Sequence, residues 1–301
     1  MTDLHRYGPW AVVLGGSEGV GASFAQQLAE DGFNLVLAAR KPEPLEATAE
    51  RVRRLGVEVR TLSLDLTDPA SVTALTQATA ELEVGLLICN AGANSYGHHF
   101  LDGELEGFQG VIDLNITTPL ACAHHYGRLM RARRRGGIVF VGSLAGYLGS
   151  ARESIYGAAK AFGRIFAEGL WLELREDGVD VLELVLGVTR TPAMERAGLN
   201  FDLPGLNVGE PDDIAREGLA HLADGPVRTR DVRWRLITPS GFSWKATTST
   251  SSGPSPAMAR QVSMARSGND GSCFSRVIRS CSTAATTSPS TTRAAAESWN
   301  P

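Results

Sequence analysis

Long apolar runs are absent from this sequence. No stretch of about eighteen apolar residues occurs, so we expect no membrane-spanning helix. The first ten residues, MTDLHRYGPW, lack the basic and apolar regions of a secretory signal peptide. Cysteine is scarce, and Cys89, Cys122, Cys273 and Cys281 have no spacing typical of a metal site. Because disulfides belong to oxidising compartments, these absences favour the cytoplasm as the location.

Two further absences exclude classes of function. The adjacent pairs His98-His99 and His124-His125 have side chains that point apart, and no Cys or acidic residue lies at ligand spacing, so we expect no metal. The first 224 residues have a net charge of −11, which argues against nucleic-acid binding by the folded part. The remaining residues have a net charge of +7, and we interpret them as a solvated tail rather than a binder of acidic surfaces.

Apolar runs alternate with amphipathic stretches over the first 190 residues. The runs are rich in Val, Leu and Ile without polar alternation, as in strands covered on both faces. The predicted strands are Trp10–Leu14, Asn34–Ala39, 57–62, 85–89, 137–141 and Val179–Leu186. The predicted helices are 20–30, 44–55, 69–82, 154–176 and, with an interruption, 108–134. This alternation indicates an α/β fold, a doubly wound parallel sheet of Rossmann type, which binds ligands outside the carboxyl ends of its strands.

The composition changes near residue 240. Ser and Thr supply 23 of the last 62 residues, and no periodic apolar face remains. We predict a single catalytic domain over 1–238, with a mobile substrate flap at about 192–211, and a disordered low-complexity tail over 239–301. The tail can be native, read in a shifted frame, or appended. Within the domain, 211–223 is the predicted last helix, and 231–238 is the only segment that suits a last strand.

Tyr156 and Lys160 are four residues apart, so they lie one turn apart on one face of a predicted helix. A free phenol has a pKa near ~10, and an ammonium one turn away would favour the phenolate and lower that pKa. Ser143, thirteen residues before Tyr156, can donate a hydrogen bond to a substrate carbonyl. Together the three side chains can move a proton on and off a C–O bond while a hydride moves on carbon.

A glycine-rich segment, GGSEGVG at 15–21, directly follows the first predicted strand and opens the first predicted helix. Glycine lets the backbone turn tightly and approach a pyrophosphate, and free N–H groups at the helix N-terminus can bind the anion. A tight turn without a ligand is the alternative interpretation. The position between a strand and a helix favours a dinucleotide site.

The second strand ends at a basic residue that bears on the choice of cofactor. Arg40, with Lys41 beside it, stands where a cation would pair with the 2′-phosphate of NADP(H) and an acid would favour NAD. Glu18, within the glycine-rich segment, is a signal against a nearby phosphate. We predict NADP(H) as the cofactor, with NAD as the alternative.

Short polar and small-residue motifs follow the next two strands. Asp65 and Leu66 come after the third strand, where a carboxylate can accept a hydrogen bond from the adenine amino group. Asn90, Ala91 and Gly92 come after the fourth strand, where small residues allow close approach of the backbone and Asn90 can brace neighbouring strands. As a series at successive strand ends, these motifs predict one extended site.

With these residues placed, the chain resembles the short-chain dehydrogenase/reductase family from about Tyr7 to Pro226. The matching motifs are GGSEGVG, DL at 65–66, NAG at 90–92, Asn115 in DLNITTP, Ser143 in GSLAG, YGAAK at 156–160 and LGVTRTP at 186–192. The segments YGPWAVVLGGSEGVG, FNLVLAARKPEPLE and LEVGLLICNAG are most similar to the branch of 3-oxoacyl-CoA and 17β-hydroxysteroid reductases.

The resemblance implies a role for each matching residue. Tyr156 would donate a proton to the carbonyl in reduction or accept one in oxidation, and Lys160 would bind the nicotinamide ribose and lower the pKa of Tyr156. Ser143 would hold the substrate oxygen. Asn115 would hold a water that relays protons past Lys160, and Thr191 would contact the nicotinamide carboxamide. The other cofactor-binding residues that we predict are Gly15, Ser17, Gly19, Val20, Gly21, Arg40, Asp65, Leu66, Asn90, Ala91 and Gly92.

The resemblance is incomplete at a few positions. Leu14 replaces the usual Thr before the glycine-rich segment, and Leu186 replaces the usual Pro before Gly187. The closing segment that follows the last helix in the family is not recognisable. Because members of the family commonly form dimers and tetramers, the resemblance also implies a homo-oligomer.

These observations predict an NADP(H)-dependent oxidoreductase that acts on a carbonyl or alcohol carbon of a small molecule. Tyr147 and Leu148 lie close in sequence to Ser143, and Met194, Leu199 and other apolar residues occupy the predicted flap, so we expect a hydrophobic substrate. The alternative is a non-catalytic dinucleotide-binding sensor or scaffold of the same fold, which the unrecognised closing segment leaves open.

Overall fold

The computed structural model describes residues 1–202 and 207–229. Its strands are β1 (Trp10–Leu14), β2 (Asn34–Ala39), β3 (Val59–Ser63), β4 (Val84–Cys89), β5 (Gly136–Ser143), β6 (Val179–Leu186) and β7 (Val227–Thr229). They pair in parallel in one sheet, in the spatial order β3-β2-β1-β4-β5-β6-β7. The six strands that the sequence predicts are all present, and their bounds differ from the predicted ones by at most two residues.

Helices occupy the connections between the strands. They are α1 (Leu4–Tyr7), α2 (Gly19–Glu30), α3 (Pro42–Arg53), α4 (Ala70–Ala78), α5 (Leu105–Ile112), α6 (Thr118–Arg133), α7 (Ser154–Leu174), α8 (Pro192–Arg196) and α9 (Pro211–Ala220). The interruption that the sequence predicts within 108–134 is a π-helical turn, Asp113–Thr117, between α5 and α6. Within the described ranges, no helix combines the length and the hydrophobicity that crossing a bilayer would need.

The strand order reverses next to β1. β2 pairs with one edge of β1 and β4 with the other, so a crevice opens at their carboxyl ends. Leu14 and Cys89, the last residues of β1 and β4, are paired partners. The glycine-rich segment after β1 and the small residues after β4 therefore begin side by side. The doubly wound fold that the sequence predicts is confirmed.

Two apolar cores lie on opposite faces of the sheet. Successive strand residues point to opposite faces, and Val12 and Val13, both fully buried, belong to different cores. The Val13 core includes residues of α2, α3 and α9: Phe24, Leu28, Leu45, Val52, Ile214 and Leu219. The Val12 core includes residues of α4, α6 and α7: Leu75, Cys122, Tyr126, Met130, Ala167 and Leu174. Burial on both faces explains why the strands read as continuous apolar runs.

The last described strand is not the one that the sequence predicts. The predicted segment, 231–238, lies outside the described residues, as does the predicted tail at 239–301. The structure has a seventh strand earlier, at β7, where Val227 pairs with Glu183 of β6. β7 is therefore a strand that the sequence did not predict, and the prediction for 231–238 stays a prediction. A strand of three residues, Val-Arg-Thr, is too short to show a periodic apolar signal.

The packing of α2 against the sheet can be tested by truncating a core side chain. Leu28 is fully buried in α2, and Leu28→Ala should lower the free energy of unfolding by about 2–5 kcal/mol, because a cavity remains. Leu55→Ala is the matched control, because Leu55 is 42% exposed, and its effect should stay within about 0.5 kcal/mol. Urea denaturation measures both changes, and equal losses in the two variants would contradict the packing described here.

Candidate active site

The segment between β1 and α2 makes a tight turn against Asn90. Gly15 and Gly19 have φ angles of +80° and +57°, a region that favours glycine. A Cβ atom added at Gly21 would overlap the carbonyl oxygen of Gly15. Asn90 Nδ2 donates a hydrogen bond of 3.0 Å to the same oxygen. The backbone thus has the close, side-chain-free approach that the sequence predicts.

The N-terminus of α2 opens directly from this turn. Its N-cap residue, Glu18, makes no capping hydrogen bond with its side chain, so that side chain leaves the first N–H groups of the helix open to an anion. Glycine backbone at a helix N-terminus is what a dinucleotide pyrophosphate requires, and the residues present here fit that group. Val20 is buried behind the turn. The carbonyl of Ser17 accepts a hydrogen bond of 2.9 Å from Thr48 Oγ1, which ties the turn to α3.

Glu18 forms an ion pair with Arg196 of α8. This pairing offsets the negative charge that, in the sequence alone, is a signal against a nearby phosphate. The two residues are 178 positions apart in the chain. No local pattern could have related them, so Arg196 is absent from the predicted site.

Arg40 and Asp65 are exposed neighbours at the ends of β2 and β3. The main-chain N–H and the hydroxyl of Thr67 donate hydrogen bonds of 3.1 Å and 2.9 Å to the Asp65 carboxylate. These bonds, with a smaller contribution from the charge of Arg40, lower the pKa of Asp65. Asp65 is therefore ionised at neutral pH. The adjacent Leu66 is buried, and its carbonyl accepts a hydrogen bond of 2.7 Å from Thr118 Oγ1.

Asn115 lies in the π-helical turn, against the segment that follows β4. Its Nδ2 donates hydrogen bonds to the carbonyls of Ala93 at 3.1 Å and Val111 at 2.9 Å. Its Oδ1 is buried and has no hydrogen-bond partner within the described residues. A Cβ atom at Gly92 would lie 2.8 Å from both Asn115 Oδ1 and Lys160 Nζ. The glycine therefore lets these two polar atoms approach the end of β4.

Ser143 and Tyr156 come together at the end of β5. Ser143 is the last residue of that strand, and Tyr156 lies in the first turn of α7. Both are half-buried, and the Ser143 side chain is close enough to Tyr156 to act as a hydrogen-bonding neighbour that lowers its pKa. Ser143 Oγ also accepts a hydrogen bond of 3.2 Å from the main-chain N–H of Ala145. The two hydroxyl groups that the sequence assigns to acid–base chemistry are therefore adjacent.

Lys160 is buried one helical turn beyond Tyr156. Its Nζ donates a hydrogen bond of 2.9 Å to the carbonyl oxygen of Val141 in β5. Burial lowers the pKa of Lys160 to about 8, and the charge of Glu183 opposes that shift. The ammonium is thus held by the main chain of β5, two residues before Ser143.

The pKa of Tyr156 is raised in this structure, whereas the sequence predicts that Lys160 lowers it. Burial is the main cause, and the hydrogen bond from Ser143 opposes it. Lys160 Nζ lies 5.6 Å from the centre of the Tyr156 ring and is turned to the Val141 carbonyl. Helical spacing fixes the shared face of the two residues, but it does not fix where a long lysine side chain ends. The prediction is wrong for that reason.

Thr191 caps α8 close to the glycine turn. Its Oγ1 accepts a hydrogen bond of 3.3 Å from the main-chain N–H of Met194. A Cβ atom at Gly19 would lie 3.0 Å from Thr191 Cγ2. The carboxyl end of β6 and the start of α2 therefore approach each other at this point. The predicted flap begins here, although residues 203–206 within it lie outside the described ranges.

Glu183 is a buried acid near the site that the sequence analysis did not select. It lies in β6 and is 1% exposed. Burial raises the pKa of Glu183 to about 8, and the charges of Lys160 and Arg164 oppose that shift. A signal was available, because an acid inside the apolar run VDVLELVL is unusual for a strand buried on both faces.

The described residues give no support for a metal centre. Over 1–202 and 207–229, no group of three or more His, Cys, Asp or Glu side chains is arranged to hold an ion.

Comparison with known proteins identifies the family. A model described as short chain dehydrogenase matches residues 9–200. The 7beta-hydroxysteroid dehydrogenase of Collinsella aerofaciens is 35% identical over 211 residues, which are 70% of this chain and 78% of that protein. The very-long-chain 3-oxoacyl-CoA reductase of Podospora anserina is 35% identical over 202 residues, which are 64% of this chain and 59% of that protein.

Solved structures agree with these matches. A short-chain dehydrogenase from Sphingobium yanoikuyae in complex with NADPH is 34% identical, with a TM-score of 0.69 over 76% of this chain and 92% of that chain. A 7beta-hydroxysteroid dehydrogenase is 30% identical, with a TM-score of 0.72 over 79% of this chain and 93% of that chain. The family and the reductase-like branch that the motifs indicate are both supported. The chain belongs to the short-chain dehydrogenase family of oxidoreductases, which act on CH–OH and C=O groups.

Proposed function

We propose that this chain is an NADP(H)-dependent oxidoreductase that acts on the carbonyl or alcohol carbon of a hydrophobic substrate, with Tyr156 as the acid–base group. The observation that carries the proposal is that the Tyr156 phenol lies beside the Ser143 hydroxyl, one turn from the buried ammonium of Lys160. These groups lie at the carboxyl ends of the strands, on the side where the glycine turn opens α2. Asn115 and Lys160 both approach Gly92 there.

The raised pKa of Tyr156 suits a proton donor. Burial keeps the phenol protonated at neutral pH, so in reduction it can give its proton to the carbonyl oxygen of the substrate. The hydroxyl of Ser143 donates its one hydrogen bond to that oxygen and so holds the carbonyl beside the phenol. A bound nicotinamide supplies or accepts the hydride. Lys160 binds the nicotinamide ribose, and Asn115 offers its free Oδ1 to a water on the proton path.

The cofactor preference is assigned to Arg40. Its guanidinium is exposed at the end of β2, where it can pair with a 2′-phosphate in a charge-assisted hydrogen bond. Relatives of this chain bind the phosphorylated cofactor, including the Sphingobium yanoikuyae enzyme in complex with NADPH. The ion pair of Glu18 with Arg196 removes the main charge that would oppose the phosphate. The remaining predicted contacts, from Asp65, Leu66, Asn90, Ala91 and Thr191, complete the proposed cofactor site.

A hydrophobic substrate is supported by the apolar side chains around the site. Leu148 is 66% exposed after β5, and Met194 is 45% exposed in α8. Relatives are named for steroid and very-long-chain acyl substrates. One structural neighbour is described as a bulky-bulky ketone specific alcohol dehydrogenase from Comamonas testosteroni, at 27% identity and a TM-score of 0.67. We assign a bulky hydrophobic ketone or the corresponding secondary alcohol.

The organisation that we propose around this site is one catalytic domain, 1–238, with a substrate flap at 192–211 and a tail at 239–301. A homo-oligomer is supported by exposed apolar residues on α6 and α7: Leu120, Leu129, Phe162, Ile165 and Leu172. Cytoplasmic location is supported by the free thiols of Cys89 and Cys122, which are both buried.

Removal of the Tyr156 hydroxyl tests the acid–base role and separates the enzyme from a non-catalytic sensor. Tyr156→Phe should lower kcat by at least about 100-fold, because no other group can give the proton, while the dissociation constant for NADPH stays nearly unchanged. Tyr126→Phe is the control. Tyr126 is buried on α6, with its hydroxyl 2.8 Å from Thr79 Oγ1, and the variant should keep the wild-type kcat. NADPH absorbance with bulky ketones measures kcat, and undiminished turnover by Tyr156→Phe would refute the assignment.

Charge reversal at β2 tests the choice of cofactor. Arg40→Asp should weaken NADPH binding by about 10- to 100-fold and shift preference toward NADH, because an ion pair with the phosphate is lost and a repulsion is added. Arg51→Asp, which changes an exposed arginine in α3, is the matched control and should leave the preference as it is. Fluorescence titration with both cofactors gives the ratio of dissociation constants. An unchanged ratio in Arg40→Asp would mean that Arg40 does not read the phosphate.

A further inference from the structure

Glu183 is an acid buried within an apolar sheet. Its paired partner in β5 is Phe140. Phe140 and Val181 belong to the apolar core on the face that α7 covers. Because residues two apart in a strand share a face, Glu183 points to the same side as Val181, toward the helix that carries Lys160.

The neighbouring strand leaves room for this carboxyl group. A Cβ atom added at Gly142 would overlap the Glu183 carboxyl group. Gly142 is the residue before Ser143 in β5. The strand that presents the active-site hydroxyl is therefore shaped, one position earlier, to accept the acid of β6.

A small cavity connects the acid to the active site. It has a volume of about 20 Å³ and is lined by residues that include Asn115, Gly142, Lys160 and Glu183. That volume holds one water, which needs about 2–4 polar partners. Two buried atoms, Asn115 Oδ1 and Glu183 Oε2, have no hydrogen-bond partner among the described residues. A water in this cavity would satisfy polar groups whose burial is otherwise costly.

The charges around the cavity act on one another. Lys160 and Arg164 of α7 act to lower the pKa of Glu183, and Glu168 of the same helix acts to raise it. Glu183 in turn raises the pKa of Lys160, as does Cys89 of β4 to a smaller extent. Tyr147, after β5, has its pKa raised to about 12, by burial first and then by Glu183.

We propose that Glu183 is a positioning residue for Lys160: a water in the cavity joins the carboxyl group to the ammonium, and the carboxylate form keeps Lys160 charged at alkaline pH. When Glu183 gives up its proton to solvent, its carboxylate faces the ammonium of Lys160 across the cavity. The resulting negative charge stabilises the ammonium across the cavity. The kinetic consequence rests on the proposed function, in which Lys160 takes part. The electrostatic coupling itself does not.

The kinetic test replaces the acid with its neutral isostere. Glu183→Gln should keep kcat within about twofold of the wild type at pH 6, where the wild-type carboxyl group is protonated and therefore uncharged, like the amide of Gln. In Glu183→Gln, the fall of kcat at alkaline pH should occur about one unit lower, because the carboxylate charge that raises the pKa of Lys160 is absent. Glu173→Gln, the same change at an exposed residue of α7 that does not act on Lys160 or Glu183, is the control and should keep the wild-type pH profile of kcat. If kcat of Glu183→Gln falls at the same alkaline pH as that of the wild type, the proposal is overturned.

An unfolding experiment on the cofactor-free protein gives a readout that does not depend on activity. The pKa of Glu183 is about 8 in the folded protein and near its ordinary value of 4.5 when unfolded. Between these values the folded state holds the extra proton, so the stability contributed by this group falls as pH rises. Relative to the wild type, Glu183→Gln should therefore gain stability steadily from pH 5 to pH 8. A difference independent of pH would show a packing role alone and overturn the proposal.

A variant of the partner residue keeps the proposal testable if Glu183→Gln does not fold. Infrared spectra of cofactor-free protein follow the band of a protonated buried carboxyl group as pH rises. In Lys160→Met the midpoint of that band should move to higher pH, because the ammonium that favours the carboxylate is gone. An unchanged midpoint would show that the two groups do not interact. If the kinetic test fails because the wild type has no turnover, the infrared result still decides the coupling, and the unfolding result decides whether the carboxyl group is protonated in the folded protein.

Discussion

The burial of one ammonium group organises this site. Lys160 Nζ is removed from water and, within the described residues, donates one hydrogen bond, of 2.9 Å, to the carbonyl oxygen of Val141. Desolvation of a charge is costly, so the elements around it are arranged to reduce that cost. Gly92 has no side chain to block the approach, and Asn115 reaches the same point from the π-helical turn. The carboxyl ends of β4 and β5 are thereby tied to α7, and Tyr156 is placed beside Ser143.

Burial shifts the pKa values of Tyr156 and Lys160 in opposite directions. It disfavours the charged form of each, so the pKa of Tyr156 rises while that of Lys160 falls. At neutral pH, Tyr156 is therefore a protonated phenol, and Lys160 is an ammonium group whose pKa is lowered to about 8. Glu183 lies on the far side of the cavity, and its carboxylate form adds a negative charge there. The site is thus built from a few ionisable groups whose charges depend on one another across the sheet.

Much of the fold and the site could be predicted from the sequence because the signals are local. Strands buried on both faces read as apolar runs, and the turn from Gly15 to Gly21 requires glycine in the conformation that the structure has. The ion pair between Glu18 and Arg196 could not be predicted from the sequence, because it joins distant segments. The strand Val227–Thr229 could not be predicted either, because it is too short to show a hydrophobic pattern. The direction of the pKa shift of Tyr156 could not be predicted for another reason. Burial and the end point of the Lys160 side chain are tertiary properties, and residue spacing does not contain them.

The charge state of Lys160 is the most direct measure of this account. The chain has three lysines, Lys41, Lys160 and Lys245, so ¹³C labelling of lysine gives three side-chain signals that Lys160→Met can assign. Burial predicts that the signal of Lys160 titrates with a pKa of about 8, well below the ~10.4 of an unperturbed lysine side chain. Titration of the Lys160 signal at that unperturbed value would contradict the buried ammonium on which the site depends.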